Sequence, residues 1–340
     1  MRKFISVFFY SFYLLLAIFV CLEILVRGWG YAGMYFYDPI YMPYKKIPEI
    51  PYVMQPNLTQ VRAQGNIWIH TDALGLRSPV SARTYGNKPA DEYRIAFVGN
   101  AVTFGVGVPT GATYPEIVEK SLNELQDHCR VAVFNFAIPS YSVKEMTATV
   151  KHRVPEIDPD LVVMGIMIGD FDPDHTPQVD KWEYNTHTGA SQVINRFPTI
   201  KLILRKIHLS YVIRDTLSRI IVEHDKDDES LNEKLTLKVA GSYKYIREVK
   251  SIAQEYGYSY LVLTLPSGES PGSKYIGLIN NLINDSINYF DTSTITPLFT
   301  VKEYHASKYD WHPSALVHQK IGEMLSQQVL NNFIGKTPRK

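Results

Sequence analysis

Apolar positions along this chain fall into three patterns, and each predicts a different kind of element. From Phe4 to Val26 the run FISVFFYSFYLLLAIFVCLEILV is apolar on every side, broken only by scattered Tyr and Ser and by Glu23. Short unbroken apolar runs come later: Arg94–Val98, Val131–Phe136, Leu161–Met167 and Tyr260–Leu265, with Ile287–Phe290 as a fifth. Such runs, bounded by turn residues, predict strands buried on both faces. Between them lie stretches with apolar residues at helical spacing: Gly111–Gln126, Val143–Val154, Tyr243–Tyr256 and Ser314–Phe333. Strands alternating with helices predict a mostly parallel sheet covered by helices on both faces, a three-layer α/β/α domain. In such a sheet the site lies at the carboxyl ends of the strands, so the loops after residues 98, 136 and 167 should line one cleft.

The N-terminal run is long enough to cross the roughly 30 Å hydrocarbon core of a bilayer as one helix. Arg2 and Lys3 precede it and only Arg27 follows closely. That asymmetry predicts a cytoplasmic N-terminus and an extracytoplasmic remainder, periplasmic in a Gram-negative cell. A cleaved signal peptide has a shorter apolar core and small residues at its cut, whereas Arg-Gly-Trp-Gly-Tyr follows here. Phe19 and Val20 before Cys21 also argue against a lipoprotein signal. An uncleaved anchor at 1–28 is therefore expected. Glu23 within it calls for a partner, either another helix or the outer interface.

Residues 29–66, with five prolines and many tyrosines, read as a juxtamembrane stalk that lies along the membrane or packs on the domain. The main domain is expected at 67–336, with a partly polar insertion at about 172–240 carrying Trp182, Tyr184 and Phe197. Composition adds little: 45% hydrophobic and 20% charged residues describe a globular chain, and a net charge of +1 gives no general attraction to nucleic acid. Cys21 and Cys129 cannot bridge across an anchor, so no disulfide is expected.

Five segments then occur in a telling order. Thr71-Asp-Ala-Leu-Gly-Leu-Arg77 comes first, followed by Gly99-Asn-Ala-Val-Thr-Phe-Gly105, Asn135-Phe-Ala-Ile-Pro-Ser-Tyr-Ser142, Met164-Gly-Ile-Met-Ile-Gly-Asp-Phe171 and Asp310-Trp-His-Pro313. The last four resemble the blocks of SGNH/GDSL hydrolases, and the first resembles an N-S-L-G-F-R element found before the hydrolase domain in membrane-anchored members. The resemblance spans roughly residues 67–332 and implies a flavodoxin-like sheet and ester chemistry. That chemistry needs a serine activated by a histidine that an aspartate orients, and an oxyanion hole of backbone N–H groups plus an asparagine amide.

Placed on those blocks, the sequence keeps Asp310 and His312 but has Ala101 at the nucleophile position. Ser140 stands where an oxyanion glycine is expected, Gly169 where the oxyanion asparagine is expected, and Asn100 replaces the usual aspartate. A base without a nucleophile predicts a pseudoenzyme, with no cofactor and no metal. Three hydroxyls lie close by: Thr103, readable as a helix cap, and Ser140 and Ser142 in the same cleft. Asp310 and His312 serve either a ligand or the local loop, and Trp311 either stacks on a sugar or fills the core. Acidic residues at Asp170, Asp172 and Asp174 resemble a calcium loop, but the sixth and twelfth places are His175 and Lys181, so a solvated loop is expected. The expected function is a membrane-anchored binding or assembly subunit with a protein partner or a glycan ligand. The alternative is an esterase or O-acyltransferase acting on envelope glycan or lipid esters.

Overall fold

The computed structural model describes residues 2–35, 38–79, 85–172, 178–179, 184–185, 198–222, 228–266 and 275–334. It divides into two compact units, one of residues 1–36 with 187–226 and the other of 37–186 with 227–340.

The larger unit is built on five strands: β1 (Glu92–Gly99), β2 (Arg130–Asn135), β3 (Leu161–Ile166), β4 (Ser259–Thr264) and β5 (Tyr289–Asp291). They pair side by side in the order β5-β4-β3-β1-β2. Every pairing is parallel. This is the flavodoxin-like order, whose crevice opens between β1 and β3, where the chain reverses its direction of winding. The two faces of the sheet carry separate cores. On one, Phe97, Val133 and Leu263 pack with Val118 and Leu122 of a helix at Tyr114–Leu125 and Ile321 and Leu325 of a helix at Ala315–Asn332. On the other, Val98, Phe134 and Val262 pack with Met146 and Val150 of a helix at Val143–His152 and Ile246 and Val249 of a helix at Asp228–Tyr256. The expected three-layer α/β/α architecture is therefore present.

Strand starts and ends follow local chemistry. Thr113 with Glu116, and Ser142 with Glu145, form reciprocal capping boxes that start the helices after the first two strands. The stretch expected as an extended stalk is folded over residues 38–66. It folds into two hairpins, Tyr41–Pro43 with Tyr52–Met54 and Val61–Ala63 with Ile67–Ile69, rather than staying extended. Ile40, Ile50, Tyr52, Val53, Met54 and Ala63 are buried in the core of the second sheet face. Burying such side chains is worth roughly 1.5–3 kcal/mol each, which outweighs the extended preference of the intervening prolines.

The smaller unit contains α1 (Arg2–Trp29) and two further helices, Pro198–Arg205 and His208–Val222. α1 is long and apolar enough to cross a membrane over Phe4–Trp29. The insertion thus divides: among the described residues, the helices at 198–222 group with the N-terminal helix, while 172, 178–179, 184–185 and 228–240 group with the sheet. Of its expected surface residues, Trp182 and Phe197 lie outside the described residues, as does the side chain of Tyr184.

Candidate functional site

The crevice is built first from β1 and the loop that follows it. At the end of β1, Asn100 caps the short helix Ala101–Phe104 by accepting the Val102 N–H at 2.9 Å. Its amide Nδ2 then donates to both carboxylate oxygens of Asp170, at 2.8 and 2.7 Å. Asp170, just past the end of β3, also accepts the Met167 N–H at 2.7 Å. Burial pushes the Asp170 carboxyl up to about 7, against the pull of these two donors. An aspartate at 100 in this geometry would set a second carboxyl against the first. Asparagine supplies an amide instead, so Asn100 is the binding partner of Asp170 and not merely a lost acid.

Ala101 is the first residue of the capped helix and is partly exposed. Its methyl group occupies the position at which the sequence blocks call for a nucleophile. Two of the three neighbouring hydroxyls, those of Thr103 and Ser142, are held in buried hydrogen bonds. Thr103 is fully buried and its Oγ1 accepts from Tyr114 Oη at 2.8 Å. A side chain at either Gly99 or Gly165 would collide with that hydroxyl, so glycines on β1 and β3 make its seat. Ser142 is buried, and its Oγ donates to Glu145 at 2.5 Å in the capping box. The expectation of Thr103 as a cap is corrected: Asn100 caps the helix, and Thr103 is locked in the core beneath it. Ser140 has φ +64°, the left-handed conformation that explains why a glycine is expected there. Gly169 is exposed, and a Cβ built on it meets nothing within 4 Å.

The second half of the site comes from the C-terminal end of the chain. His305–Ser307 and Asp310–Pro313 form an antiparallel hairpin just before the last long helix. Within it, His312 Nδ1 lies 2.6 Å from Asp310 Oδ1, and the His312 backbone N–H donates to the same oxygen at 3.1 Å. Asp310 is buried, whereas the His312 side chain is 37% exposed, so the imidazole keeps one edge open to solvent. Burial pushes the Asp310 carboxyl up, but the hydrogen bonds and charge of His312 outweigh it and hold the group below its ordinary value. Its other oxygen is enclosed by backbone: a Cβ on Gly65 or on Gly107 would lie 2.7 Å from Oδ2. Both glycines have positive φ, +79° and +74°, which an ordinary side chain would resist. Trp311 points outward, 63% exposed, and stacks on His305 at 6.2 Å with the rings 10° apart. It does not fill the core.

Arg77 joins the two halves, a role its place in the upstream segment did not reveal. Fully surrounded by protein, it donates to the carbonyls of Phe104, Gly105 and Val108 at 2.9, 2.6 and 2.6 Å. It thereby fixes the glycine loop that presses on Asp310. Burial lowers its guanidinium to about 10 while Glu116 opposes the shift. Asp72 builds the turn that delivers Arg77, accepting the Leu74 and Leu76 N–H groups at 3.0 and 2.9 Å. Asn135, at the end of β2, donates to the Thr103 carbonyl at 3.0 Å and ties the second strand loop to the first. The acidic run after β3 divides its bonds: Asp170 serves Asn100, and Asp172 accepts Lys238 Nζ at 3.0 Å. Asp174, His175 and Lys181 lie outside the described residues. His318 is a purely internal histidine, stacked on Tyr114 and accepting its backbone N–H at 3.0 Å; burial lowers it to about 3.

No protein-family model matches the chain, and no curated protein does. Solved structures with a similar fold include a two-domain esterase active on acetylated mannans, at 12% identity over 73% of this chain and 51% of that one, TM-score 0.44. A catalytic mutant of an acetylxylan esterase from Geobacillus stearothermophilus matches at 12% identity over 70% and 94%, TM-score 0.42. A lipase/acylhydrolase from Enterococcus faecalis matches at 13% identity over 72% and 100%, TM-score 0.39. This chain thus has a three-layer α/β/α fold with parallel strands in the flavodoxin-like order 2-1-3-4-5, and three of the segments that resemble SGNH/GDSL blocks lie at the ends of those strands.

Proposed function

We propose that this protein is a membrane-anchored, extracytoplasmic binding or assembly subunit whose SGNH-type cleft no longer performs acyl transfer. One observation carries the reading. Ala101 stands at the nucleophile position, and the nearby Thr103 and Ser142 hydroxyls are held in buried hydrogen bonds. A histidine can take a proton only from a group that offers one, and acyl transfer to the protein needs a nucleophilic side chain, which alanine at 101 does not supply. The exposed Gly169 also withholds the side-chain amide that would steady an oxyanion, a contribution worth about 10²–10³ in rate in a working hydrolase.

What the cleft retains suits recognition. It has an imidazole edge open to solvent that can hydrogen-bond a polar ligand, while Trp311, the adjacent residue on the strand, offers an exposed ring stacked on His305. α1 would supply the anchor, and the basic Arg2 and Lys3 at its start support an extracytoplasmic position for the folded units. A protein in the same membrane or a surface glycan is the partner this layout fits. The intact Asp310–His312 pair is the feature that favours the alternative, an esterase or O-acyltransferase for envelope esters.

Turnover of p-nitrophenyl acetate by the full chain in detergent separates the two. The unaltered protein should match His312→Ala, at the rate of nonspecific hydrolysis. A rate well above that of His312→Ala overturns the pseudoenzyme reading. The double variant Ala101→Ser with Gly169→Asn should gain His312-dependent turnover, because it restores the missing hydroxyl and the missing amide, the latter at an open position.

A further inference from the structure

Within the smaller unit, the outer end of α1 is tied to the helices Pro198–Arg205 and His208–Val222 by an unusual set of polar bonds. The Glu23 carboxylate accepts the backbone N–H groups of His208 and Leu209, both at 2.9 Å. Arg27, itself 2.9 Å from Glu23, donates to the Lys206 carbonyl at 3.0 Å. Tyr31, stacked on Trp29, donates its hydroxyl to Asp215. Two of these side chains from α1 therefore satisfy the free N–H groups that open one helix and a free carbonyl at the end of the other.

In water such groups are hydrated at little expense; in hydrocarbon each unsatisfied one costs several kcal/mol. The position of Glu23 gives the level. From Phe4, about 20 residues at ~1.5 Å each carry α1 roughly 30 Å, the full thickness of the apolar core. Glu23 thus stands at the outer boundary of the bilayer, and the helix pair is held at that depth. Its surface fits the place. Ile200 and Ile203, and Ile213 and Leu217, are each more than half exposed. Ile213 lies two positions from both Tyr211, which is buried, and Asp215, which faces Tyr31. On a helix, that offset puts Ile213 and Leu217 on the side turned away from those contacts, where this unit has no core to cover them.

We infer that the helix pair 198–222 is a membrane-embedded element, seated in the outer leaflet beside α1 with Ile200, Ile203, Ile213 and Leu217 in contact with lipid. The occupant of this apolar face is the bilayer, because the face continues the bare surface of α1 and sits at the level that Glu23 sets. The inference rests on α1 spanning the membrane. In consequence the smaller unit would hold the membrane by three helices, and its helix pair would not be a free surface for a soluble partner.

Spin-label accessibility in nanodiscs holding one copy of the full chain tests this. In a background of Cys21→Ala and Cys129→Ala, nitroxides are placed at Ile203→Cys and Leu217→Cys. Leu15→Cys reports on α1, and Glu255→Cys on the exposed surface of the larger unit. In phosphatidylcholine discs the ratio of collision with oxygen to collision with a water-soluble nickel chelate should be several-fold higher at 203 and 217 than at 255, as at 15. Nickel access at 203 and 217 matching that at 255, with lipid exposure kept at 15, overturns the inference and leaves the anchor standing. Protection from both reagents at 203 and 217 also overturns it, since protein would then cover the face. Nickel access at 15 overturns the anchor reading itself, and this inference with it.

Discussion

The loop after β1 and the hairpin carrying His312 close on the same end of the sheet, yet they have kept opposite things. The loop retains the residues that fold it: Asn100 caps, Thr103 fills the seat between Gly99 and Gly165, and Gly105 and Gly107 take left-handed turns. It lacks only a residue that would react. The hairpin retains a reactive pair, with His312 and Asp310 in short contact and one imidazole edge open, though no attacking group stands at position 101 for it to serve. The difference shows how packing and chemistry separate within one motif. A glycine that lets backbone approach Asp310 and a threonine buried under Tyr114 are held by the core, and replacing them is costly whatever the protein does. A serine at the exposed start of a helix is held by catalysis alone, and alanine there disturbs nothing around it.

The largest test of this separation is Arg77→Ala. Removing the guanidinium leaves the Phe104, Gly105 and Val108 carbonyls without their buried donor, at about 1–3 kcal/mol for each group left unsatisfied. A loss of roughly 3 kcal/mol or more is expected, read as a fall of several degrees in the thermal midpoint of the full chain in detergent. A midpoint within a degree of the parent would mean that the glycine loop does not depend on its arginine. Thr103→Val should have a smaller effect, about 1–3 kcal/mol, because the Tyr114 hydroxyl loses its acceptor while the volume is kept. The same variant should leave p-nitrophenyl acetate hydrolysis unchanged; a parent rate above that of His312→Ala that falls to it in Thr103→Val would make Thr103 a reacting group and break the comparison.

A test of a different kind, on pH dependence, concerns Asp170. Its folded value, raised to about 7, lies above the ordinary 3.8, so the folded protein holds a proton that the unfolded chain has released. The stability this group contributes is complete below about pH 4 and is lost as pH rises through 7. The difference in thermal midpoint between the parent and Asp170→Asn should therefore fall over that window and level off above it. A difference that stays flat from pH 4 to 8 would mean that the Asn100 amide keeps Asp170 ionised throughout, and the loop would then carry a fixed charge.

Much of the architecture could be read from periodicity. Unbroken apolar runs become the strands of the parallel sheet within two residues at their ends, and three of the four helical stretches fall where their spacing puts them, while the helix expected at Tyr243 begins already at Asp228, inside the expected insertion. The cleft too was legible in outline, since in such sheets the strand-end loops converge. Residues 38–66 were ambiguous because prolines and tyrosines suit an extended chain and a packed hairpin equally; burial of Ile40 and Tyr52 decided between them. The insertion was legible only as an interruption, because its helices are tied to α1 by bonds such as that between Glu23 and His208, 185 positions apart.

The sequence by itself determined that Ala101 lacks a nucleophile, that Asp310 and His312 survive, that a parallel sheet carries both, and that the first helix is apolar throughout. These are properties of residue identity and local spacing. Only the tertiary structure decided that Thr103 is locked under Tyr114, that Asn100 is spent on Asp170, and that Arg77 holds the loop facing Asp310. Whether a hydroxyl is free or a charge is buried depends on which distant groups reach it, and the chain brings those together only by folding.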